Sequence, residues 1–224
     1  MNLNAVSGGI MLLVLLAAML IGLRYQNRSR WHRLLFIYTV ISFSQISAQV
    51  IINNIDLSPN IQSRFANAAM NIYLLSEFIL FYILFYASFS KWTFRLILHA
   101  GVIGMLAITY YQWYYSGSFY TDYYVTGFAQ LFFLMIPCML FLFDKFITIG
   151  FRFITEDPRF WPITGMLLLS SCMLPLFFGV WENLDILYNK QRIDTVNNFL
   201  YVILFSSVIM ALSCKSATHS NKTR

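Results

Sequence analysis

The chain has 224 residues, of which 59% are apolar and only 11% carry a charge. Soluble domains are roughly 25% charged, and a domain of this size buries only part of the surface that its unfolded chain exposes. So much apolar surface cannot be hidden in one small core. The composition therefore excludes a water-soluble enzyme, a disordered tail and a nucleic-acid-binding domain, and it predicts an all-α membrane protein.

Seven apolar segments are each near the length of about 20 residues that a helix needs to cross a bilayer. In chain order they are 6–23, 34–54, 66–90, 96–115, 123–143, 162–181 and 196–213. We expect the first to be retained rather than cleaved as a signal peptide, because its basic residues follow the apolar run. The tails and loops between them are too short to fold. The sequence thus predicts a single seven-helix transmembrane domain over 1–224, with no soluble domain.

The net charge of +6 is divided unevenly between the two sides of this predicted bundle. With the N-terminus outside, the cytoplasmic loops and tail carry twelve Lys and Arg residues, whereas the outer loops carry three. Such an excess in short loops marks the cytoplasmic side. We therefore predict an outer N-terminus and a cytoplasmic C-terminus, in the inner membrane of a bacterium. The basicity reports topology and does not indicate a nucleic-acid partner.

Glu77 is the one acidic or basic residue in the interior of a predicted span. Such a group costs several kcal/mol to insert and normally faces the bundle interior with a partner. We expect helix 3 to be central, with Tyr73, Glu77 and Phe81 on its inward face. No Lys or Arg lies at matching depth. Glu77 is then either protonated, or ionised and compensated by a cation, a cationic ligand or a proton in transit.

Neutral polar side chains are predicted to lie at the same depth as Glu77 or further out. Helix 2 carries Ser42, Gln45, Gln49 and Asn53 on one helical face, and we expect Gln45 near the level of Glu77. The predicted ligand-binding residues are Glu77, Gln45, Gln49, Asn71, Tyr73, Asn198 and Tyr201. The alternative is a set of interhelical hydrogen bonds, each worth about 0.6 kcal/mol in a membrane bundle.

Two prolines lie in mid-span, Pro137 in helix 5 and Pro175 in helix 6. A proline inside a helix kinks it and frees a backbone carbonyl that neighbouring groups must satisfy. Both residues are therefore predicted hinges, although most such kinks are simply packed.

Aromatic residues crowd the outer ends of helices 4 and 5. They are Tyr110, Tyr111, Trp113, Tyr114, Tyr115, Tyr120, Tyr123 and Tyr124. Two interpretations are open: an interfacial belt at the level of the lipid headgroups, or an aromatic vestibule for a ligand.

The sequence carries no recognisable catalytic constellation. His32, His99 and His219 do not combine with Asp or Cys into a metal-binding set. Only one carboxylate is predicted to be buried, whereas an aspartyl mechanism needs two, and no Ser–His pair shares a depth. We therefore expect a non-enzymatic protein without a metal or cofactor.

Three short motifs carry a resemblance to known proteins: Asn71 to Glu77 in helix 3, Pro158-Arg159-Phe160-Trp161 and Asn197-Asn198. With them the chain resembles small bacterial seven-helix membrane proteins and the membrane input modules of sensor kinases. Helix 3 ends in Ser88-Phe89-Ser90-Lys91-Trp92, which is not the triplet of the G-protein-coupled receptor family, and no lysine in helix 7 could hold a rhodopsin chromophore. The resemblance implies a sensory or receptor-like role.

Three functions follow as expectations. The first is a sensor or receptor that binds a small or lipophilic ligand in an intramembrane polar pocket and signals through a separate cytoplasmic or membrane protein. The second is a small-molecule or proton-coupled transporter that uses Glu77. The third is an assembly or scaffold subunit.

Overall fold

The computed structural model of the chain describes residues 3–56, 58–120, 123–149, 154–181 and 186–214. Within these residues the protein consists of seven long α-helices without a strand. They are α1 (Leu3–Tyr25), α2 (Arg30–Asn54), α3 (Pro59–Ser88), α4 (Trp92–Tyr111), α5 (Tyr124–Ile149), α6 (Phe160–Trp181) and α7 (Ile186–Ser213). A π-helical turn, Gln112–Ser116, and a 3₁₀ turn, Ser118–Tyr120, follow α4.

Six of these helices are long and apolar enough to cross a membrane, which indicates an integral membrane protein. The apolar stretch described in α6, Phe160–Leu176, is shorter. The prediction of a helical bundle is confirmed to this extent. Orientation stays a prediction, and Arg152, Lys215, Lys222 and Arg224, four of the residues that support it, lie outside the described residues.

Two helices begin well before their apolar segments. Helix α3 starts at Pro59 rather than near residue 66, because proline suits the first turn of a helix, where its missing N–H is not needed. Helix α7 starts at Ile186 rather than near residue 196. Hydropathy marks only the part of a helix that is apolar enough for lipid, and the polar first turns of α7 continue the helix beyond it.

Six helices surround the centre of the bundle in the order α1, α2, α3, α5, α6, α7, and α7 packs back against α1. Helix α4 lies outside this ring, where it packs mainly on α5. Leu98 and Met105 are its buried side chains. Because α4 is displaced, α3 and α5 come into direct contact, which brings Glu77 of α3 next to residues of α5.

A column of aromatic rings fills the ring of helices between Glu77 and the predicted cytoplasmic end. Tyr38, Phe81, Phe85, Phe89 and Phe205, here called the aromatic column, are each at most 2% exposed. Phe81 meets Tyr38 edge-on with 5.5 Å between ring centroids, and Phe85 stacks on Phe89 at 5.9 Å. Phe81 and Phe85 are four residues apart and lie on one face of α3, and Phe89 follows directly after the helix ends.

The resemblance motif Pro158–Trp161 lies at the start of α6, where it takes part in local contacts. The guanidinium of Arg159 donates two hydrogen bonds to Asp157, at 2.7 and 2.5 Å. Lys145 lies 3.9 Å from the same carboxylate. Trp161 donates to the backbone carbonyl of Thr155 at 3.1 Å. These bonds tie the start of α6 to the end of α5.

Both predicted hinge residues lie inside their helices. Pro137 is buried in α5, whereas Pro175 is exposed on α6. Movement at either residue stays a prediction.

Gly165 marks the closest approach of α6 to α7, and we expect Gly165→Ala to destabilise the bundle by about 1–3 kcal/mol. A Cβ atom at this position would lie 2.5 Å from Ser207 Oγ and 3.1 Å from Leu204 Cδ1. Gly9→Ala is the matched control, because a Cβ atom there meets nothing within 4 Å. Thermal unfolding in detergent measures the difference. Adding Ser207→Ala should restore most of the stability, and an unchanged midpoint in Gly165→Ala would contradict the packing.

Candidate functional site

The carboxylate of Glu77 is 1% exposed and lies at the centre of a hydrogen-bonded cluster. Oε1 accepts hydrogen bonds from the hydroxyls of Tyr38 at 2.8 Å and Tyr73 at 3.1 Å. Oε2 accepts from Gln130 Nε2 at 2.5 Å and from the Tyr201 hydroxyl at 3.4 Å. We call these five residues the carboxylate cluster. Four neutral donors from α2, α3, α5 and α7 thus satisfy both oxygens without a basic residue.

The register of α2 against α3 determines which polar residue of α2 reaches Glu77. The contacts along this seam are Tyr38–Glu77, Ser42–Tyr73, Gln45–Met70 and Gln49–Ala66. The prediction that Gln45 lies near the level of Glu77 is therefore wrong. Gln45 lies beside Met70, seven residues along α3 from Glu77, which is about 10 Å at 1.5 Å per residue. Tyr38 occupies the position that was expected for Gln45.

A cavity of about 430 Å³ lies next to the carboxylate cluster, and Phe205 of the aromatic column is one of its lining residues. Tyr73, Gln130 and Tyr201, three of the donors to Glu77, line its inner end. Asn53, at the end of α2, and Asp194, in α7, also line the cavity. The volume lies within the range of small-molecule sites, roughly 300–1,000 Å³.

Five of the seven predicted ligand-binding residues line this cavity. They are Gln45, Gln49, Tyr73, Asn198 and Tyr201. All five also make contacts between helices. Gln49 donates to the Ala66 carbonyl at 3.0 Å, and Asn198 donates to Ser7 Oγ at 3.2 Å. Gln45 contacts Met70, Tyr73 contacts Ser42, and Tyr201 donates to Glu77. The fold therefore brings most of the predicted set together, although ligand binding by these residues stays a prediction.

Glu77 and Asn71 do not line the cavity. Glu77 lies behind the three cluster residues that do, so any effect it has on a ligand passes through them or through its charge. Asn71 is buried and donates to the Phe119 carbonyl at 2.7 Å, which holds the turn after α4. Six residues separate Asn71 from Glu77, so the two side chains leave α3 about 120° apart.

Tyr38 and Gln130 belong to the site but were missed in the sequence. Tyr38 continues the stripe Ser42, Gln45, Gln49 by one helical turn, so the periodicity of α2 could have found it. Gln130 is an isolated amide in the apolar helix α5 and is 0% exposed. A lone polar residue gives no periodic signal, and only the contact of α3 with α5 shows its role.

The aromatic residues of the outer end divide between the two open interpretations. Tyr123 and Tyr124 line the cavity, as a vestibule requires. Six others are exposed, between 39% for Tyr120 and 71% for Tyr114, as expected of an interfacial belt. A second cavity of about 420 Å³ shares Gln49, Asn53 and Tyr123 with the first. The two cavities therefore adjoin each other at the C-terminal end of α2.

The resemblance proposed from the short motifs stays a prediction. Of those motifs, Asn197-Asn198 lines the cavity, whereas Pro158–Trp161 makes local contacts at the start of α6. A family assignment would need a match over most of the chain. No protein-family model, curated protein or solved structure matches this chain.

Proposed function

We propose that this protein is a non-enzymatic, receptor-like membrane protein that binds a small amphiphilic ligand in the 430 Å³ cavity. In this proposal it lies in the bacterial inner membrane with its N-terminus outside. Ligand binding then alters the basic cytoplasmic loops, which contact a separate signalling protein. The observation that carries the proposal is a cavity with both polar and apolar walls, at whose inner end four donors converge on one buried carboxylate.

Three amides on the wall of the cavity, those of Gln45, Asn53 and Asn197, favour a ligand site over interhelical hydrogen bonding. Gln45 makes one contact with the described residues, at 3.9 Å to the sulfur of Met70, which is weaker than an ordinary hydrogen bond. Asn53 and Asn197 make no hydrogen bond to the described part of the chain, although both line the cavity. Side chains that served only to join helices would have their donors and acceptors paired. These amides instead present them to the cavity.

The aromatic column favours a receptor over a transporter. Phe81 and Phe205 lie next to Tyr38 of the carboxylate cluster, and all three side chains are buried. Tyr38 and Phe205 are 6.0 Å apart between centroids, and Phe205 also contacts Tyr201 at 5.7 Å. The cavity therefore ends at a wall of packed aromatic rings, of which Phe205 lines it. Transport by Glu77, the alternative function, requires this wall to separate.

We expect Gln45→Phe to abolish ligand binding by placing a bulky ring inside the cavity in place of an amide. Ser44→Phe is the matched control, because Ser44 is the neighbouring position on α2, is exposed and bonds only to its own helix. Thermal unfolding in lipid nanodiscs with a panel of small amphiphiles measures binding. A compound at 100 times its Kd stabilises the folded state by about 2.7 kcal/mol. Compounds that stabilise the unsubstituted protein should also stabilise Ser44→Phe and have no effect on Gln45→Phe.

Two outcomes would contradict the proposed function. One is a panel in which no compound stabilises the unsubstituted protein. The other is stabilisation that persists in Gln45→Phe, because the compound would then bind elsewhere.

A further inference from the structure

We propose that the ligand of the cavity is an amphiphilic organic cation, an amine whose ammonium group binds at the inner end beside Gln130 and Glu77. This inference rests on the proposed function, since it needs the cavity to be a binding site, and it adds the chemical class of the ligand. Three independent observations support it: an unpaired acceptor, an uncompensated carboxylate and a wall of tyrosine rings.

The unpaired acceptor is the side-chain oxygen of Gln130. Gln130 lines the cavity and is 0% exposed. Its Nε2 donates to Glu77 Oε2, which is the orientation that an ionised carboxylate requires, because the amide oxygen would repel it. The remaining atom, Oε1, is buried and has no hydrogen-bond partner among the described residues. Leaving such a group unpaired is costly, and an N–H donor of a ligand in the cavity would pair it.

The uncompensated carboxylate is Glu77. Among the described residues, the ion pairs lie at the other end of the bundle, at Lys91–Asp144, Lys145–Asp157 and Arg159–Asp157. None of the described residues that line the cavity is a lysine, arginine or histidine. An ionised Glu77 therefore meets no protein cation there, and its field in the cavity is little screened, since the surroundings are of low dielectric. This field attracts an ammonium group and repels a carboxylate or a phosphate.

The tyrosine rings are those of Tyr73, Tyr123, Tyr124 and Tyr201, all of which line the cavity. Aromatic faces attract organic ammonium groups through their quadrupole. The rest of the wall includes Met11, Ile46, Leu169 and Met173, which suit the apolar part of an amphiphile. An anionic ligand would find neither a cation nor a favourable ring face in this described wall.

The test compares two thiol reagents that differ in charge. In a background with Cys138, Cys172 and Cys214 replaced by alanine, Gln45→Cys places a thiol in the cavity. Asn60→Cys, at an exposed position of α3, is the control. Each variant reacts with a methanethiosulfonate that carries either a trimethylammonium group or a sulfonate. We expect the ratio of the cationic to the anionic rate to be about tenfold higher at residue 45 than at residue 60, and Glu77→Gln to reduce this difference.

A second measurement follows how well two compounds of matched size protect the thiol of the Gln45→Cys variant from labelling. We expect 4-phenylbutylamine to slow the reaction at least about tenfold more effectively than 4-phenylbutan-1-ol, because the protonated amine is positively charged whereas the alcohol is neutral. This comparison needs no substitution in the carboxylate cluster, so it holds even if Glu77→Gln does not fold.

The outcomes separate the ligand class from the existence of the site. If both reagents react at residue 45 with the ratio seen at residue 60, or if the alcohol protects as well as the amine, the cation proposal is wrong and the binding cavity stands. If neither reagent reacts at residue 45 while both react at residue 60, the cavity is closed to ligands, and the proposed function is wrong as well. Selectivity that survives in Glu77→Gln would show that the carboxylate cluster is not its source, which overturns the placement of the ammonium group.

Discussion

Glu77→Leu is expected to destabilise the bundle by about 2 kcal/mol or more. The substitution leaves four donors, the hydroxyls of Tyr38, Tyr73 and Tyr201 and the amide of Gln130, without their shared acceptor. A buried donor left unpaired costs about 1–3 kcal/mol in soluble proteins, whereas interhelical hydrogen bonds in membranes average about 0.6 kcal/mol. Four donors together therefore give a large loss on either scale. Thermal or denaturant unfolding in detergent measures it.

Glu77→Gln should lose less stability than Glu77→Leu, because the amide keeps one acceptor oxygen for Tyr38 and Tyr73. Its NH₂ group, however, would face the NH₂ group of Gln130. In the double variant Glu77→Gln/Gln130→Glu, the amide of residue 77 can donate to the carboxylate of residue 130. This exchange should recover most of the lost stability. Glu156→Gln, at an exposed position, is the control for removing a charge and should change the midpoint little. If the double variant is no more stable than Glu77→Gln, the direct bond between residues 77 and 130 is not important to stability.

The fold could be predicted from hydropathy because a membrane-spanning helix satisfies its own backbone and needs a long apolar run. All seven predicted segments coincide with helices of the described chain. The order of the helices around the bundle could not be predicted in this way. The displacement of α4 from the ring depends on how side chains pack, and a single chain's hydropathy carries no information about it.

The site could be predicted in composition but not in register. The polar face of α2 and the central acid of α3 are visible as periodic patterns. Their relative height is not, because a helix pair can slide by whole turns without changing which faces meet. The observed partner of Glu77 on α2 is Tyr38, which is seven residues away from the predicted partner, Gln45. Tyrosine is counted among the apolar residues of the composition, although its hydroxyl is a strong donor, so only the helical spacing of α2 points to Tyr38.

Asn71 shows a different limit. Depth alone groups Asn71 with Glu77. The direction in which a side chain leaves the helix also matters, and over six residues this direction turns to another face. There it meets the backbone of the turn after α4. A helical-wheel projection of α3 needs only the sequence, and it separates Asn71 from Tyr73 and Glu77.

The aromatic column should be as important to stability as the carboxylate cluster, and Phe81→Ala tests it. Phe81 is 2% exposed and contacts Tyr38 and Phe85. Truncating a buried phenylalanine to alanine costs about 3–5 kcal/mol, because a cavity remains where the ring was packed. Phe143→Ala removes the same atoms from an α5 position that is 62% exposed, and we expect a loss below about 0.5 kcal/mol there. The unfolding midpoints of the two variants measure the difference.

The same pair of variants separates the receptor from the transporter. Tyr38 rests on Phe81 and donates to Glu77, so Phe81→Ala removes part of the wall that closes the cavity. If the unsubstituted protein is a closed receptor, proteoliposomes should show no solute flux with it or with Phe143→Ala, and any leak should arise only in Phe81→Ala. Saturable flux through the unsubstituted protein would instead show that the column separates during a natural cycle. Equal stability of Phe81→Ala and Phe143→Ala would show that the aromatic column is not a packed wall. A solute in the cavity would then meet no closed barrier to transport.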